Sequence, residues 1–368
     1  MEGFAAGRDV GASVAVYLDG APVVDVWAGH VDRRKTRPWE RDTLCALFSS
    51  SKGITATCIL QAVADGAIPL DDPIAACWPE FAAAGKAAIT TRQVLNHRSG
   101  VVGFHQPMPP DILYDWPGMC AALAAEHPWW DPGTKHGYHA RTFGFLLGEV
   151  LRRSTGVGLR QWLKDRLVEP FGLDLHFGLE TDVLGRCADM LPARLKAGAK
   201  PPESARALLA AMTDRSTTTG AAFQNPSLGP GYMNSEQYRR ADMPGMNGFG
   251  TARSLAALYA GVKDLIPAPL LDLATTTESE GMDEVLKSFS RFGLGFMLHD
   301  PCAPIGVREG TFGHAGAGGS MAFYDPNARI AFCFLMNQMQ QGVVTGGASA
   351  MACAEAVYAC LDQGRKLS

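Results

Sequence analysis

The chain has 368 residues, 47% of them hydrophobic and 19% charged, with a formal net charge of −4. That apolar share can fill a packed core and excludes extended disorder. The missing basic excess excludes a nucleic-acid binder, because nothing is available to neutralise phosphates. The longest strongly apolar stretch, Ile330 to Met336, falls far short of the ~20 residues a bilayer span needs, so no membrane residence is expected.

A length of this size suits two domains or one large α/β unit. Met1 to Asp9 lacks a basic start followed by an apolar run, so no signal peptide is read there. Nine cysteines are scattered along the chain without a C-x-x-C pair. Cys45, Cys58, Cys120, Cys333 and Cys360 among them suit neither a zinc site nor a disulfide framework. They are expected to be mostly small buried hydrophobes in a reducing cytoplasm. Arg8, Arg33, Arg34 and Lys35 read as solvated surface.

Ala12 to Leu18 and Pro22 to Trp27 are β-prone runs joined by Asp19-Gly20, a hairpin signature. Phe48-Ser49-Ser50-Ser51-Lys52-Gly53 then opens the first strong helix, Lys52 to Ala64, and holds an S-x-x-K tetrad from Ser49 to Lys52. Residues three apart share a helix face, so hydroxyl and amine can meet. A serine hydroxyl needs an adjacent base to act as a nucleophile. A lysine serves when burial or the positive end of a helix lowers its pKa. The Ser49 backbone N–H can also face an oxyanion. Taken alone, the tetrad is equally a serine N-cap.

Further helices are expected over Thr91–Asn96, Met119–Glu126, Thr142–Ser154, Leu159–Val168, Ser204–Ala211 and Ala252–Val262. Ahead of Thr142 runs a turn-rich loop, Pro132 to Ala140. It places Tyr138 where its phenol can enter a cleft and relay a proton; the plain alternative is a half-buried tyrosine. Trp129-Trp130 is expected to pack this loop. His136-x-x-His139 has helical metal-ligand spacing, but no Glu follows His136 and no third ligand is evident, so no metal or other cofactor is expected. The stretch 189–246 is rich in Ala, Gly and Pro and reads as a variable, partly helical cover.

Phe312 to Ser320 is glycine-rich, which allows close backbone approach. Here the Ala317 N–H can donate to an oxyanion, and His314 and Gly316 can line a cleft. The run is not a Rossmann fingerprint, since it lacks the final glycine and a following helix. Strands over Ser320–Tyr324 and Ile330–Met336 flank the turn Asp325-Pro326-Asn327-Ala328. A helix over Ala348–Leu361 closes the chain. Strands at both ends with helices between predict an α/β chain of α+β type. One antiparallel sheet would be built from about 1–70 and 290–368, beside a mainly helical part over about 71–289.

The ordered set of S-x-x-K, Tyr138 and the His314-Ala315-Gly316 run resembles the serine β-lactamase and penicillin-binding-protein superfamily. Leu95 to Gly100 and Gly144 to Glu149 extend the likeness over nearly the whole chain. It is most similar to the class C-related esterases called family VIII carboxylesterases. The resemblance implies a β-lactamase-like fold and an acyl-enzyme mechanism. Ser49 would be the nucleophile, Lys52 its base and Tyr138 the proton shuttle, with the Ser49 and Ala317 N–H groups holding the oxyanion.

Two departures bear on substrate. Class C enzymes carry Asn two residues after the tyrosine, where this chain has Ala140, and Lys where it has His314. Both losses disfavour β-lactams and leave ester hydrolysis intact, so a carboxylesterase acting on small esters is expected. A β-lactamase or D-amino-acid amidase of the same fold, or an inactive binding relative, are the alternatives. No G-x-S-x-G elbow of an α/β-hydrolase is present. No feature specifies an oligomeric state.

Overall fold

Asp19 and Gly20 both take left-handed backbone angles, φ 53° and 78°, as a two-residue type I′ hairpin requires. They join β1 (Gly11–Leu18) to β2 (Ala21–Gly29). The computed structural model describes residues 2–5, 7–194, 203–340 and 346–367. Nine further strands follow: β3 (Cys45–Phe48), β4 (Leu175–Phe177), β5 (Gly248–Gly250), β6 (Ser279–Met282), β7 (Phe289–Phe292), β8 (Met297–Leu298), β9 (Phe312–Ala315), β10 (Met321–Asp325) and β11 (Ile330–Met336). Eight of the eleven form one antiparallel sheet in the order β2-β1-β11-β10-β9-β8-β7-β6. The two chain ends meet as its second and third strands, where Ala12 pairs with Met336 and Leu18 with Ile330.

The unbroken apolar run of β11 is explained by burial on both faces. Ala331, Cys333 and Leu335 enter one core with Leu255, Ala256 and Tyr259 of the helix Ala252–Ala260. Ile330, Phe332 and Phe334 alternate into a second core with Ala350, Ala354 and Tyr358 of the helix Ala348–Leu367. Strand side chains alternate between faces, so one seven-residue strand serves both layers. The Tyr358 hydroxyl donates to Asp325 Oδ2 at 2.7 Å. The other oxygen of Asp325 accepts the N–H groups of Asn327 and Ala328, each at 2.9 Å, which fixes the β10–β11 turn.

β3, β5 and β4 form a separate three-stranded antiparallel sheet, which was not expected. β3 runs directly into the helix Ser51–Ala64, whose residues from Ser51 to Ala62 are all buried. A helix buried all round runs through the protein interior, and its polar side chains find partners there: the Thr55 and Thr57 hydroxyls donate to the Ser51 and Gly53 carbonyls. The helices Thr142–Thr155 and Leu159–Leu163 pack against this helix, and Trp116–Ala125 packs on Thr142–Thr155. Leu159–Leu163 is α-helical but continues as a π turn over Lys164–Val168. β10 begins at Met321, one residue later than expected. The stretch 189–246 contains helices Glu203–Met212, Thr218–Gln224 and Glu236–Arg240; its residues 195–202 lie outside the described residues. Among the described residues no helix is long and apolar enough to cross a membrane.

All nine cysteines are free, and Cys45, Cys58, Cys120, Cys187 and Cys333 are buried, whereas Cys302 and Cys360 are exposed.

Candidate active site

Ser49 sits on the turn between β3 and the helix Ser51–Ala64, not within the helix. Phe48, immediately before it, holds φ 47°, a left-handed conformation that non-glycine residues rarely take. The Ser51 hydroxyl donates to the Phe48 carbonyl and the Lys52 N–H to the Ser49 carbonyl at 2.9 Å, so the turn is tied from its C-terminal side. This sharp corner leaves Ser49 partly exposed on a cleft while Ser50 and Ser51 are buried. The tetrad is therefore no simple N-cap: Ser50 occupies that position and its side chain makes no capping bond.

The Lys52 side chain is fully buried, at 0% exposure. Its Nζ lies 3.2 Å from Ser49 Oγ, 3.0 Å from the Ala140 carbonyl oxygen and 2.7 Å from the Gly245 carbonyl oxygen. No carboxylate neutralises it among the described residues. Burial alone pulls its pKa down from the ordinary lysine value to about 7. A neutral amine has two hydrogens and one lone pair. The two carbonyls accept both hydrogens, which leaves the lone pair for the Ser49 hydroxyl.

Tyr138 packs over this amine, with Nζ 4.7 Å from its ring centroid, and its phenol lies near enough to Ser49 for the serine side chain to act on its pKa. Burial pushes its phenol pKa up, outweighing the opposing effect of Ser49. Tyr138 is thus a neutral phenol at neutral pH. Asp283 holds its backbone: Oδ1 accepts the N–H groups of Tyr138, Val285 and Leu286 at 3.1, 2.8 and 2.8 Å, and Oδ2 accepts the Ser290 hydroxyl at 3.0 Å. Burial raises the Asp283 pKa and those N–H bonds oppose the rise.

The two histidines of His136-x-x-His139 are engaged separately. His136 Nε2 meets the Ser290 hydroxyl at 3.0 Å, while His139 faces the Gly137 carbonyl through Nδ1 and the Ser99 hydroxyl through Nε2. Among the described residues no group of His, Cys, Asp or Glu could hold a metal ion. Trp129 stacks on His105, with centroids 4.0 Å apart, and donates to the Gly103 carbonyl at 3.0 Å, so it packs against residues 103–105, while buried Trp130 is the one that lies against Gly137 of the tyrosine loop.

Gly316 brings the β9–β10 loop against the Ser49 turn. A Cβ there would meet Ser320 Oγ at 2.2 Å and the Leu47 carbonyl oxygen at 2.4 Å, so only glycine permits this approach. Ala317 follows on an exposed turn and, with Gly316, lines the same cleft as Ser49. His314 does not line it. This corrects the expectation of a substrate-facing imidazole: His314 is 1% exposed, packed behind Tyr138 with ring centroids 6.0 Å apart. Its Nδ1 lies 2.7 Å from the Ala315 carbonyl oxygen, and Nε2 has no partner among the described residues. Burial, helped by nearby Lys52, drops its pKa to about 3, so it is uncharged.

The cleft has a volume of about 610 Å³. Its walls are largely apolar: Leu208, Leu209 and Met212 come from the helix Glu203–Met212, joined by Phe223, Leu228 and Met233. Four contributors were not singled out from sequence: the Gly245 and Ala140 carbonyls, Asp283 and Arg141. Backbone acceptors carry no side-chain signal, and Asp283 lies 145 residues from the tyrosine it anchors.

Comparison with known proteins identifies the family of the chain. The family model described as Beta-lactamase matches residues 2–355. The esterase/beta-lactamase LipL of Mycobacterium tuberculosis is 34% identical over 350 residues, covering 91% of this chain and 78% of that protein. The crystal structure of a family VIII carboxylesterase aligns with TM-score 0.86 and 34% identity, over 98% of this chain and 95% of that one. A penicillin-binding protein homologue from Caulobacter crescentus aligns with TM-score 0.86 and 35% identity, over 97% and 94% of the two chains. With its antiparallel sheet flanked by helices and its serine–lysine turn at the cleft, the chain belongs to the beta-lactamase family.

Proposed function

We propose that this protein is a serine hydrolase that cleaves small carboxylic esters through an acyl-enzyme on Ser49. The observation that carries the reading is the buried Lys52 amine 3.2 Å from Ser49 Oγ, with its hydrogens directed to two carbonyls. Lys52, whose pKa of about 7 leaves about half of the amines neutral at pH 7, takes the hydroxyl proton as Ser49 Oγ bonds to the ester carbonyl carbon. The charge that develops on the carbonyl oxygen is held by the Ser49 and Ala317 N–H groups. Collapse breaks the bond to the alcohol oxygen, which leaves with a proton passed from Lys52 through the Tyr138 phenol. Water then adds by the same route in reverse roles, releasing the acid and free Ser49. The names of LipL and the family VIII carboxylesterase support an ester as substrate.

Ala140 offers no amide side chain and His314 no charge to the cleft, which supports esters over β-lactams. The test compares p-nitrophenyl acetate, butyrate and octanoate with the cephalosporin nitrocefin, using wild type and Ser49→Ala. Ester turnover lost in Ser49→Ala, with nitrocefin slow or untouched, is the expected result. Rapid nitrocefin turnover would overturn the substrate assignment.

A further inference from the structure

Arg141 is the one charged side chain among the described residues that line the cleft. It follows Ala140, whose carbonyl binds Lys52, so it stands one residue from the catalytic cluster. No carboxylate lies within ion-pair range of it among the described residues. Its one hydrogen-bond partner there is the Pro226 carbonyl, reached through Nη1. Tyr114, Tyr232 and Tyr238 surround it, and burial raises the pKa of each, so none supplies negative charge near pH 7. A half-buried guanidinium stays protonated and keeps most of its planar donor fork unused. Placed in an apolar cleft without a counter-ion, such a charge is costly to the empty protein, and a ligand anion offsets that cost.

We infer that Arg141 is an anion subsite of the cleft, and that the preferred substrates are esters bearing a carboxylate as well as the ester group. This rests on the ester-hydrolase reading above. The competing role is a clamp on the loop at Pro226, which would hold the cleft's shape without selecting charge.

The test measures kcat/KM for mono-p-nitrophenyl glutarate, with the anion on the acyl side, and 4-acetoxybenzoate, with the anion on the alcohol side. Each is compared with a neutral counterpart, p-nitrophenyl butyrate or phenyl acetate, in wild type, Arg141→Gln and Arg141→Lys. The expected result is that Arg141→Gln lowers the anionic-to-neutral ratio about tenfold or more on at least one side, the scale of a lost charge-assisted contact. Arg141→Lys, which keeps the charge without the fork, should recover part of it. A clamp would lower anionic and neutral substrates together, and unchanged ratios in both variants would overturn the subsite. If wild type turns over no ester through Ser49, calorimetric binding of monomethyl glutarate decides separately. Binding that weakens in Arg141→Gln would keep the subsite and reject the ester reading; equal binding would reject the subsite as well.

Discussion

The Lys52 amine lies 2.7 Å from the carbonyl oxygen of Gly245, a residue 193 positions away at φ 75°. A Cβ at Gly245 would stand 3.0 Å from Lys52 Cγ, so the chain passes as close to the lysine as a backbone can. The contact orients the amine without charging it. An acid in that place would hold the lysine protonated and useless as a base.

The first consequence is a pH profile. Lys52 with a pKa of about 7 must be neutral to accept the Ser49 proton. Ester kcat/KM is therefore expected to rise with pH through a transition near 7 and level off above it. A profile measured from pH 5 to 9 that fell with rising pH would contradict a neutral-lysine base.

The same burial opposes folding. Unfolded lysine titrates near 10.4, so between about 7 and 10.4 the unfolded chain binds more protons than the folded one, and stability rises with pH across that window. Lys52→Met removes the titration. Its stability relative to wild type should be greater at pH 6 than at pH 10, by an amount on the order of a few kcal/mol. The two carbonyls left without a donor cost the same at both pH values, so urea denaturation at each isolates the ionisation. No pH dependence in that difference would show that Lys52 titrates normally.

Asp283 is expected to matter through Tyr138. Asp283→Ala frees three backbone N–H groups and the Ser290 hydroxyl and should destabilise the fold by about 2–4 kcal/mol. With the tyrosine loop loosened, kcat should fall at least about tenfold while KM moves less. Denaturation together with steady-state kinetics checks both, and native kcat would mean that the loop holds itself.

The parts legible in the sequence were those with local signals. The Asp19-Gly20 hairpin, the double-faced β11 and the S-x-x-K spacing all announce themselves within a few residues. β6 reads Ser-Glu-Gly-Met and β5 Gly-Phe-Gly. Neither has the β-branched or alternating pattern of a strand, and both are strands because neighbours supply the hydrogen bonds. His314 misled for a related reason: its place in the motif was readable, but its burial depends on Tyr138, which reaches it from another part of the chain. Arg141 was passed over because one arginine has no pattern until the walls around it are seen to be apolar.

Those walls yield a specificity prediction. Leu208 projects from the helix Glu203–Met212 onto the cleft. Leu208→Trp should fill acyl space and lower the octanoate-to-acetate ratio of kcat/KM by about tenfold, the scale of a few methylene contacts. An unchanged ratio across the p-nitrophenyl series would place the acyl chain elsewhere.

The central claim is that Ser49 carries the acyl group, and covalent labelling addresses it most directly. Wild type is treated with a fluorophosphonate, digested and mapped by mass spectrometry, while residual ester turnover is followed in parallel. The account predicts one label on the peptide bearing Ser49, loss of turnover in step with labelling, and no label in Ser49→Ala. A label on another residue, or full ester turnover with Ser49 blocked, would contradict it.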